Sequence, residues 1–153
     1  IGAKLIVAGQ GVAKVEPGKI TCLDGTELTG DVEYAGVVGP EERAKLMGAA
    51  RAIFTPTLYF EPFGGVSVEA QLCGTPAVVS DWGGLPENVI DGVTGFACST
   101  LAEFAGAALS AGSLDRSYVR QHAQQTWGMD AIRPKFTRYF ERLATLQGAG
   151  WYS

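Results

Sequence analysis

Ala52-Ile53-Phe54-Thr55-Pro56, Tyr59-Phe60-Glu61-Pro62-Phe63-Gly64-Gly65, Val66-Ser67-Val68-Glu69-Ala70-Gln71-Leu72-Cys73-Gly74 and Ala77-Val78-Val79-Ser80 follow one another along the chain. They read as strand, glycine-rich loop, helix and strand. The two strands are short apolar runs, and Gly74 falls where a helix ends in left-handed geometry. Behind this unit, Pro86 to Ile90 reads as a short helix and Gly95-Phe96-Ala97-Cys98 as another strand. Ahead of it, Val32-Glu33-Tyr34-Ala35-Gly36 is a strand followed by a helix from Pro40 or Glu41 to Gly48, with proline and acids in its first turn. Apolar runs alternating with helices predict an α/β fold in which a parallel sheet is covered on both faces.

The ends of the chain complete this pattern. Lys4-Leu5-Ile6-Val7-Ala8-Gly9 reads as a buried strand with no polar leader, so the chain is expected to begin inside a longer protein. Between Gly11 and Gly30, Pro17-Gly18 and Asp24-Gly25 flank Ile20-Thr21-Cys22-Leu23, which predicts a short β-hairpin excursion with a type I′ turn at Asp24-Gly25. From Leu101 to Gln147 the sequence reads as helical throughout, with Pro134 expected to kink or divide the last long helix.

Bulk properties narrow the functional classes. With 153 residues, 46% hydrophobic and 18% charged, the chain suits one globular domain and not a disordered one. Net charge is −4 and the 12 Lys and Arg are scattered, which argues against nucleic acid as a partner. No apolar stretch reaches the roughly 20 residues that span a bilayer, and no signal peptide opens the sequence, so a cytoplasmic location is expected. Cys22, Cys73 and Cys98 are widely spaced, without a CxxC or neighbouring His, and are read as inert thiols belonging to neither a zinc site nor a disulfide framework.

In open parallel sheets, ligands bind beyond the carboxyl ends of strands, which directs attention to three loops: Gly9 to Gly11, Gly36 to Gly39 and Thr57 to Gly65. In the third, paired glycines open a helix whose exposed amides suit a phosphate. Glu69, one turn into that helix, leans back toward its start, and Glu61 lies on the loop just before it. An ionised carboxylate accepts two O–H donors at once, as a ribose or hexose presents them. The spacing suggests a ligand with a diphosphate in the middle and a sugar at each end.

Glu61 and Glu69, with seven residues between them in Glu61-Pro62-Phe63-Gly64-Gly65-Val66-Ser67-Val68-Glu69-Ala70-Gln71-Leu72-Cys73-Gly74-Thr75-Pro76, resemble the E-x7-E signature of the retaining group 1 glycosyltransferases of the GT-B fold. Val7-Ala8-Gly9-Gln10-Gly11, Ser80-Asp81-Trp82-Gly83-Gly84-Leu85-Pro86-Glu87 and Asp91-Gly92-Val93-Thr94-Gly95 extend the resemblance, which runs from residue 3 to about 145. It implies a Rossmann-like C-terminal lobe that holds a nucleotide-sugar donor, residues 1–125, lacking its first strand and the N-terminal lobe. Residues 126–147 would be a helical segment packing back toward that missing lobe. By position, Glu61 would contact the donor sugar near the reacting carbon as the catalytic carboxylate, and Glu69 would hold the ribose. Phe63, Gly64, Gly65 and Val66 would offer backbone amides to sugar and diphosphate, Val37, Val38 and Gly39 would border the base, and Gly9 and Gly11 would line the cleft floor.

The implied reaction moves a hexose from a UDP-, GDP- or ADP-sugar to the hydroxyl of an acceptor sugar, lipid or other compound with retained configuration. No protein-bound metal or other cofactor is expected, and the isolated fragment should be inactive. The acceptor would be held through the N-terminal lobe, and the full-length protein has room for a peripheral membrane contact. The family's diphosphate-gripping Arg and Lys belong to a strand and loop ahead of residue 1, and the Gly11 to Gly30 excursion replaces a helix near the base. Two other readings stay open: a nucleotide-sugar-binding module without catalysis, and a sugar-nucleotide epimerase of related two-lobed architecture. A dinucleotide-cofactor loop is disfavoured, because Lys14 stands where its fingerprint needs a third glycine. His122 and the junction Trp127-Gly128-Met129-Asp130 read as structural; Arg133, Lys135, Arg138 and Arg142 read as a basic face toward anionic lipid or, favoured by the interspersed acids, as a solvated face.

Overall fold

A computed structural model describes residues 2–146. The chain forms two compact units, residues 1–46 and residues 47–153.

In the first unit, β1 (Leu5–Ala8) pairs in parallel with β5 (Val32–Gly36), Leu5 opposite Val32 and Val7 opposite Tyr34. The expectation of a buried first strand is corrected: Leu5 and Ile6 are more than two-fifths exposed. A two-stranded ladder has too little surface to bury both of its faces. Between these strands lies a three-stranded antiparallel sheet of β2 (Val12–Glu16), β3 (Lys19–Cys22) and β4 (Glu27–Thr29), where the sequence suggested a single hairpin. Ile20 on the central strand is its fully buried side chain.

The predicted type I′ turn is also corrected. Asp24 does not take a positive φ, whereas Gly25 does at 86°. Gly25 N–H donates to the Cys22 carbonyl at 3.0 Å and Cys22 N–H to the Thr26 carbonyl at 2.8 Å. This is a three-residue loop with a type I turn and a left-handed glycine, stabilised by the Asp24 carboxylate accepting the Thr26 N–H at 2.9 Å. That bond holds the Asp24 carboxyl below its usual pKa.

Helix α1 (Pro40–Ala49) follows β5 in the chain. The second unit is built on the parallel sheet β6 (Ile53–Thr55), β7 (Ala77–Ser80) and β8 (Gly95–Cys98), in that order. The parallel strands thus fall into two ladders, one in each unit. Every residue of β7 is buried, as a central strand requires. Its alternation divides the core in two: Val78 packs with Cys98, Phe96, Phe104, Ala107 and Ala111, while Ala77 and Val79 pack with Leu85, Ile53, Val89 and Ala97. Full burial of each valine stabilises the fold by about 1.5–3 kcal/mol.

Helix α2 (Gly65–Leu72) packs on β6 and β7, and α3 (Leu101–Ser110) on β7 and β8. A capping box opens α3: Thr100 Oγ1 accepts Glu103 N–H at 3.3 Å, and the Glu103 carboxylate accepts Thr100 N–H at 2.9 Å. Helix α4 (Arg116–Trp127) packs on α2, and α5 (Met129–Thr145) packs on α4. Helices α4 and α5 meet at Gly128, within the helix junction read from Trp127 to Asp130, whereas the region expected to be helical throughout is interrupted by a 3-10 turn at Ala111–Ser113. Leu114 is extended there, and Asp115 restarts the helix by accepting the Ser117 and Tyr118 N–H groups. Pro134 does not divide α5, which continues through it. It lies in the second turn, where it removes one bond to the Asp130 carbonyl while the surrounding turns keep theirs. The expected helix end at Gln147 lies outside the described residues.

Arg116 ties the helices to the C-terminus of α1. Its guanidinium donates to the carbonyls of Ala50 (2.6 Å) and Gly48 (2.7 Å) and to Thr75 Oγ1 (2.8 Å), and that hydroxyl donates in turn to the Met47 carbonyl. Carbonyls at the end of a helix have no partner within it, and α1 has no basic residue in its own last turn. A residue 66 positions further along the chain supplies the cap.

Candidate functional site

The loop from Pro56 to Gly64 leaves the carboxyl end of β6, and the loop from Asp81 to Leu85 leaves the carboxyl end of the adjacent parallel strand β7. The two loops therefore share one edge of the sheet, and they are bonded along their length. Ser80 Oγ donates to the Thr57 carbonyl at 2.9 Å, Trp82 Nε1 to the Tyr59 carbonyl at 3.3 Å, and Gly84 N–H to the Glu61 carbonyl at 2.8 Å. Gly83 and Gly84 permit this approach. A Cβ on Gly83 would lie 2.6 Å from the Glu61 carbonyl oxygen, and one on Gly84 would run into the Pro62 carbonyl oxygen.

Glu61 is half-buried, and its carboxylate turns back over its own loop. Oε1 accepts the N–H of Gly64 at 3.0 Å and of Phe63 at 3.4 Å, and Oε2 accepts the Tyr59 hydroxyl at 2.7 Å. The Tyr59 hydroxyl, followed by the two amides, holds the Glu61 carboxyl below its usual pKa, and the same bond raises that of the Tyr59 phenol. Two of the amides assigned to a ligand by sequence thus face Glu61. Gly65 and Val66 open α2, and first-turn N–H groups have no acceptor within a helix. Gly64 precedes them at φ 76°, with no side-chain cap.

Glu69 lies four residues after Gly65 and three after Val66, so these residues share one face of α2. It is half-buried there. The opposite side of the helix carries the buried residues Ser67, Val68, Ala70 and Gln71. Phe63 and Val66 are each 45% exposed, and Leu58, Tyr59 and Phe60 are more exposed still. Phe63 is anchored edge-on to Trp127 at the end of α4, with ring centroids 5.4 Å apart.

The other predicted residues come together within the first unit. The segments Gly9 to Gly11 and Gly36 to Gly39 leave the carboxyl ends of the paired strands β1 and β5. Gly9 N–H donates to the Gly36 carbonyl at 2.8 Å, the Tyr34 hydroxyl donates to the Gly9 carbonyl at 2.7 Å, and Leu23 N–H donates to the Gly11 carbonyl at 2.8 Å. Val37 is 72% exposed, Val38 is half-buried, and Gly39 accepts the Arg43 N–H as α1 begins.

Sequence reasoning missed a buried polar cluster behind the Phe63–Gly64 corner. Asn88 Nδ2 donates to the carbonyl of Phe63 and to Ser67 Oγ (3.2 Å), and Gln71 Nε2 donates to the Asn88 carbonyl at 2.8 Å. Asn88 sits in a 3-10 turn, Pro86–Asn88, shorter than the helix expected from Pro86 to Ile90. Gln71 and Asn88 carry no sequence signal that sets them apart from the polar residues beside them, Glu69 and Glu87.

His122 stacks on Tyr118 in α4, and the three cysteines are free. Burial pushes the Cys98 thiol up from its usual pKa. Among the described residues, no group of three or more His, Cys, Asp or Glu side chains could hold a metal ion. No described helix is long and apolar enough to cross a membrane.

The D-inositol 3-phosphate glycosyltransferases of Mycobacterium tuberculosis (strain ATCC 25618 / H37Rv) and Mycobacterium bovis (strain ATCC BAA-935 / AF2122/97) are each 39% identical over 98 residues, 61% of this chain and 20% of theirs. The chain thus spans about one fifth of the length of these curated relatives. Among solved structures, sucrose-phosphate synthase from Thermosynechococcus elongatus superposes with a TM-score of 0.66 at 29% identity, over 75% of this chain and 31% of that one. Anabaena Alr3699/HepE in complex with UDP and glucose superposes with a TM-score of 0.63 at 27% identity, over 73% and 32%. These neighbours share the α/β architecture of GT-B glycosyltransferases. The model of the group 1 glycosyl transferases matches residues 2–112, most of the chain, and the chain belongs to that family.

Proposed function

We propose that this chain is the donor-binding lobe of a retaining glycosyltransferase, which moves a hexose from a nucleoside diphosphate sugar to an acceptor hydroxyl when joined to an N-terminal lobe. The observation that carries this reading is the loop in which Glu61 and the opening amides of α2 meet beyond the carboxyl end of β6. The start of a helix carries roughly half a positive charge and suits a diphosphate. Glu69 faces the ribose and the amides of Gly65 and Val66 the diphosphate, while Glu61 and the Phe63 and Gly64 amides it accepts in the free chain turn to the sugar and diphosphate when the donor binds. Gly9, Gly11, Val37, Val38 and Gly39 border the base and the cleft floor.

Bond breaking leaves positive charge on the sugar and negative charge on the departing diphosphate. Preorganised amides stabilise the latter, and an ionised Glu61 balances the former. The Tyr59 hydroxyl and the Gly64 and Phe63 amides favour its ionised form. The reading assigns no protein-bound metal, and its free thiols suit a reducing, cytoplasmic compartment. Uridine diphosphate is the first donor nucleotide to try, because Anabaena Alr3699/HepE was solved with UDP and with UDP-glucose.

Calorimetric titration with uridine, guanosine and adenosine diphosphates and their sugars, comparing wild type with Glu69→Ala, tests the assignment. One charge-assisted hydrogen bond of about 1.5–3 kcal/mol corresponds to a loss of roughly ten- to hundredfold in affinity. Equal affinity for both proteins would remove Glu69 from the ribose role.

A further inference from the structure

The carbonyl of residue 63 and the N–H of residue 64 belong to one planar trans peptide and point in opposite directions. Whatever holds the Phe63 carbonyl therefore also aims the Gly64 N–H. That carbonyl accepts from Asn88 Nδ2, and the Gly64 N–H on the other side of the same peptide meets Glu61. The next peptide is held the same way: the Gly64 carbonyl accepts from Ser67 Oγ at 2.7 Å and Ser67 N–H at 3.0 Å, with Asn88 Nδ2 at 3.5 Å. That peptide ends in the Gly65 N–H.

A peptide flanked by glycine turns easily, so its direction needs a fixed partner. Asn88 is suited to be one, being 2% exposed. Its backbone is fixed by Gln71 Nε2 on its carbonyl and by its own N–H on the Leu85 carbonyl at 3.1 Å. Gln71 is itself fully buried.

We infer that Asn88 is a positioning residue of the donor loop: by holding the Phe63 carbonyl from behind, it points the Gly64 amide toward Glu61 and the ligand side. The word donor rests on the function proposed above, whereas the orientation of the peptide does not. Asn88 touches no ligand in this scheme. It acts through the peptide it holds, and Gln71 acts through Asn88.

Asn88→Asp keeps the shape of the side chain but puts an acceptor where the donor was, so it repels the Phe63 carbonyl. Two measurements on the chain decide the matter, both at a temperature where wild type and variant are fully folded. Amide hydrogen exchange at Gly64 in the ligand-free protein should speed up at least tenfold, while the amides of β7 keep their protection. UDP affinity should fall at least tenfold.

A residue that only supported the core would lower the melting temperature without moving either quantity, and that result would overturn the inference. If the aspartate variant does not fold, Asn88→Ala carries the same expectation, and Gly64 exchange within twofold of wild type would equally overturn it. Were wild type not to bind UDP while Gly64 still responded to Asn88, the donor reading would fall and the positioning would stand.

Discussion

The Tyr59 hydroxyl donates a 2.7 Å hydrogen bond to one oxygen of Glu61, and the other oxygen accepts the Gly64 and Phe63 amides. All three contacts favour the ionised carboxylate, so its pKa in the folded chain lies below that in the unfolded one. By linkage, the contribution of Glu61 to stability is fully present above the unfolded pKa and is lost as pH falls through the folded pKa. Tyr59→Phe removes the largest cause of the shift. Carboxyl NMR titration should show Glu61 titrating below ordinary glutamates in wild type and closer to them in the variant. Identical titration curves would show that the hydroxyl does not reach the carboxylate in solution.

Gly64 combines φ 76° with a Cβ direction blocked by the Leu85 side chain. Gly64→Ala therefore meets both backbone strain and overpacking, and should cost about 2–4 kcal/mol. Chemical denaturation measures it directly. A loss below about 0.5 kcal/mol, the usual range for a neutral surface change, would mean that Leu85 moves aside at little cost.

Arg116 donates to two carbonyls near the end of α1 and to Thr75. Arg116→Ala leaves those acceptors without a donor and should destabilise the fold by about 2 kcal/mol. Lysine replaces a fork of donors with a point charge, so Arg116→Lys should recover only part of the loss. Full recovery with lysine in a thermal melt would show that charge, not geometry, supplies the cap.

At the start of α3, Thr100→Ala breaks one half of the capping box and should cost about 1 kcal/mol. Glu103 is held below its usual pKa by the N–H groups of Ser99 and Thr100. Exchange at the Ser99 and Thr100 amides should therefore quicken in Glu103→Gln. Unchanged exchange at both would refute the reciprocal bond.

The strands β7 and β8 were legible because Ala77 to Ser80 and Gly95 to Cys98 are apolar runs bounded by turn residues, and buried parallel strands have that signature. Helix α2 was legible from its glycines, Gly65 at the start and Gly74 beyond the end. The break at Ala111–Ser113 was passed over, although Gly112 and Ser113 are weak helix formers and Asp115 is an N-cap residue. For Leu5 and Ile6, composition indicates what a residue prefers, not whether a neighbouring layer exists to cover it. At the candidate site, the placement of Glu61 on the loop and of Gly64 and Gly65 at the opening of α2 could be read, because glycines before a helix have a local geometric reason. The bond between Asn88 and Phe63 joins residues 25 positions apart, and no periodicity encodes such a pairing.

At Gly83 and Gly84 two stretches of main chain touch with nothing between them. Such a corner has no adjustable part. Natural drift can alter the rim around it, at Leu58 or Phe60, in gradual steps, yet a single added carbon at the corner has no intermediate solution. Attempts to broaden the range of ligands proposed for this chain should therefore diversify the rim and leave the two glycines untouched.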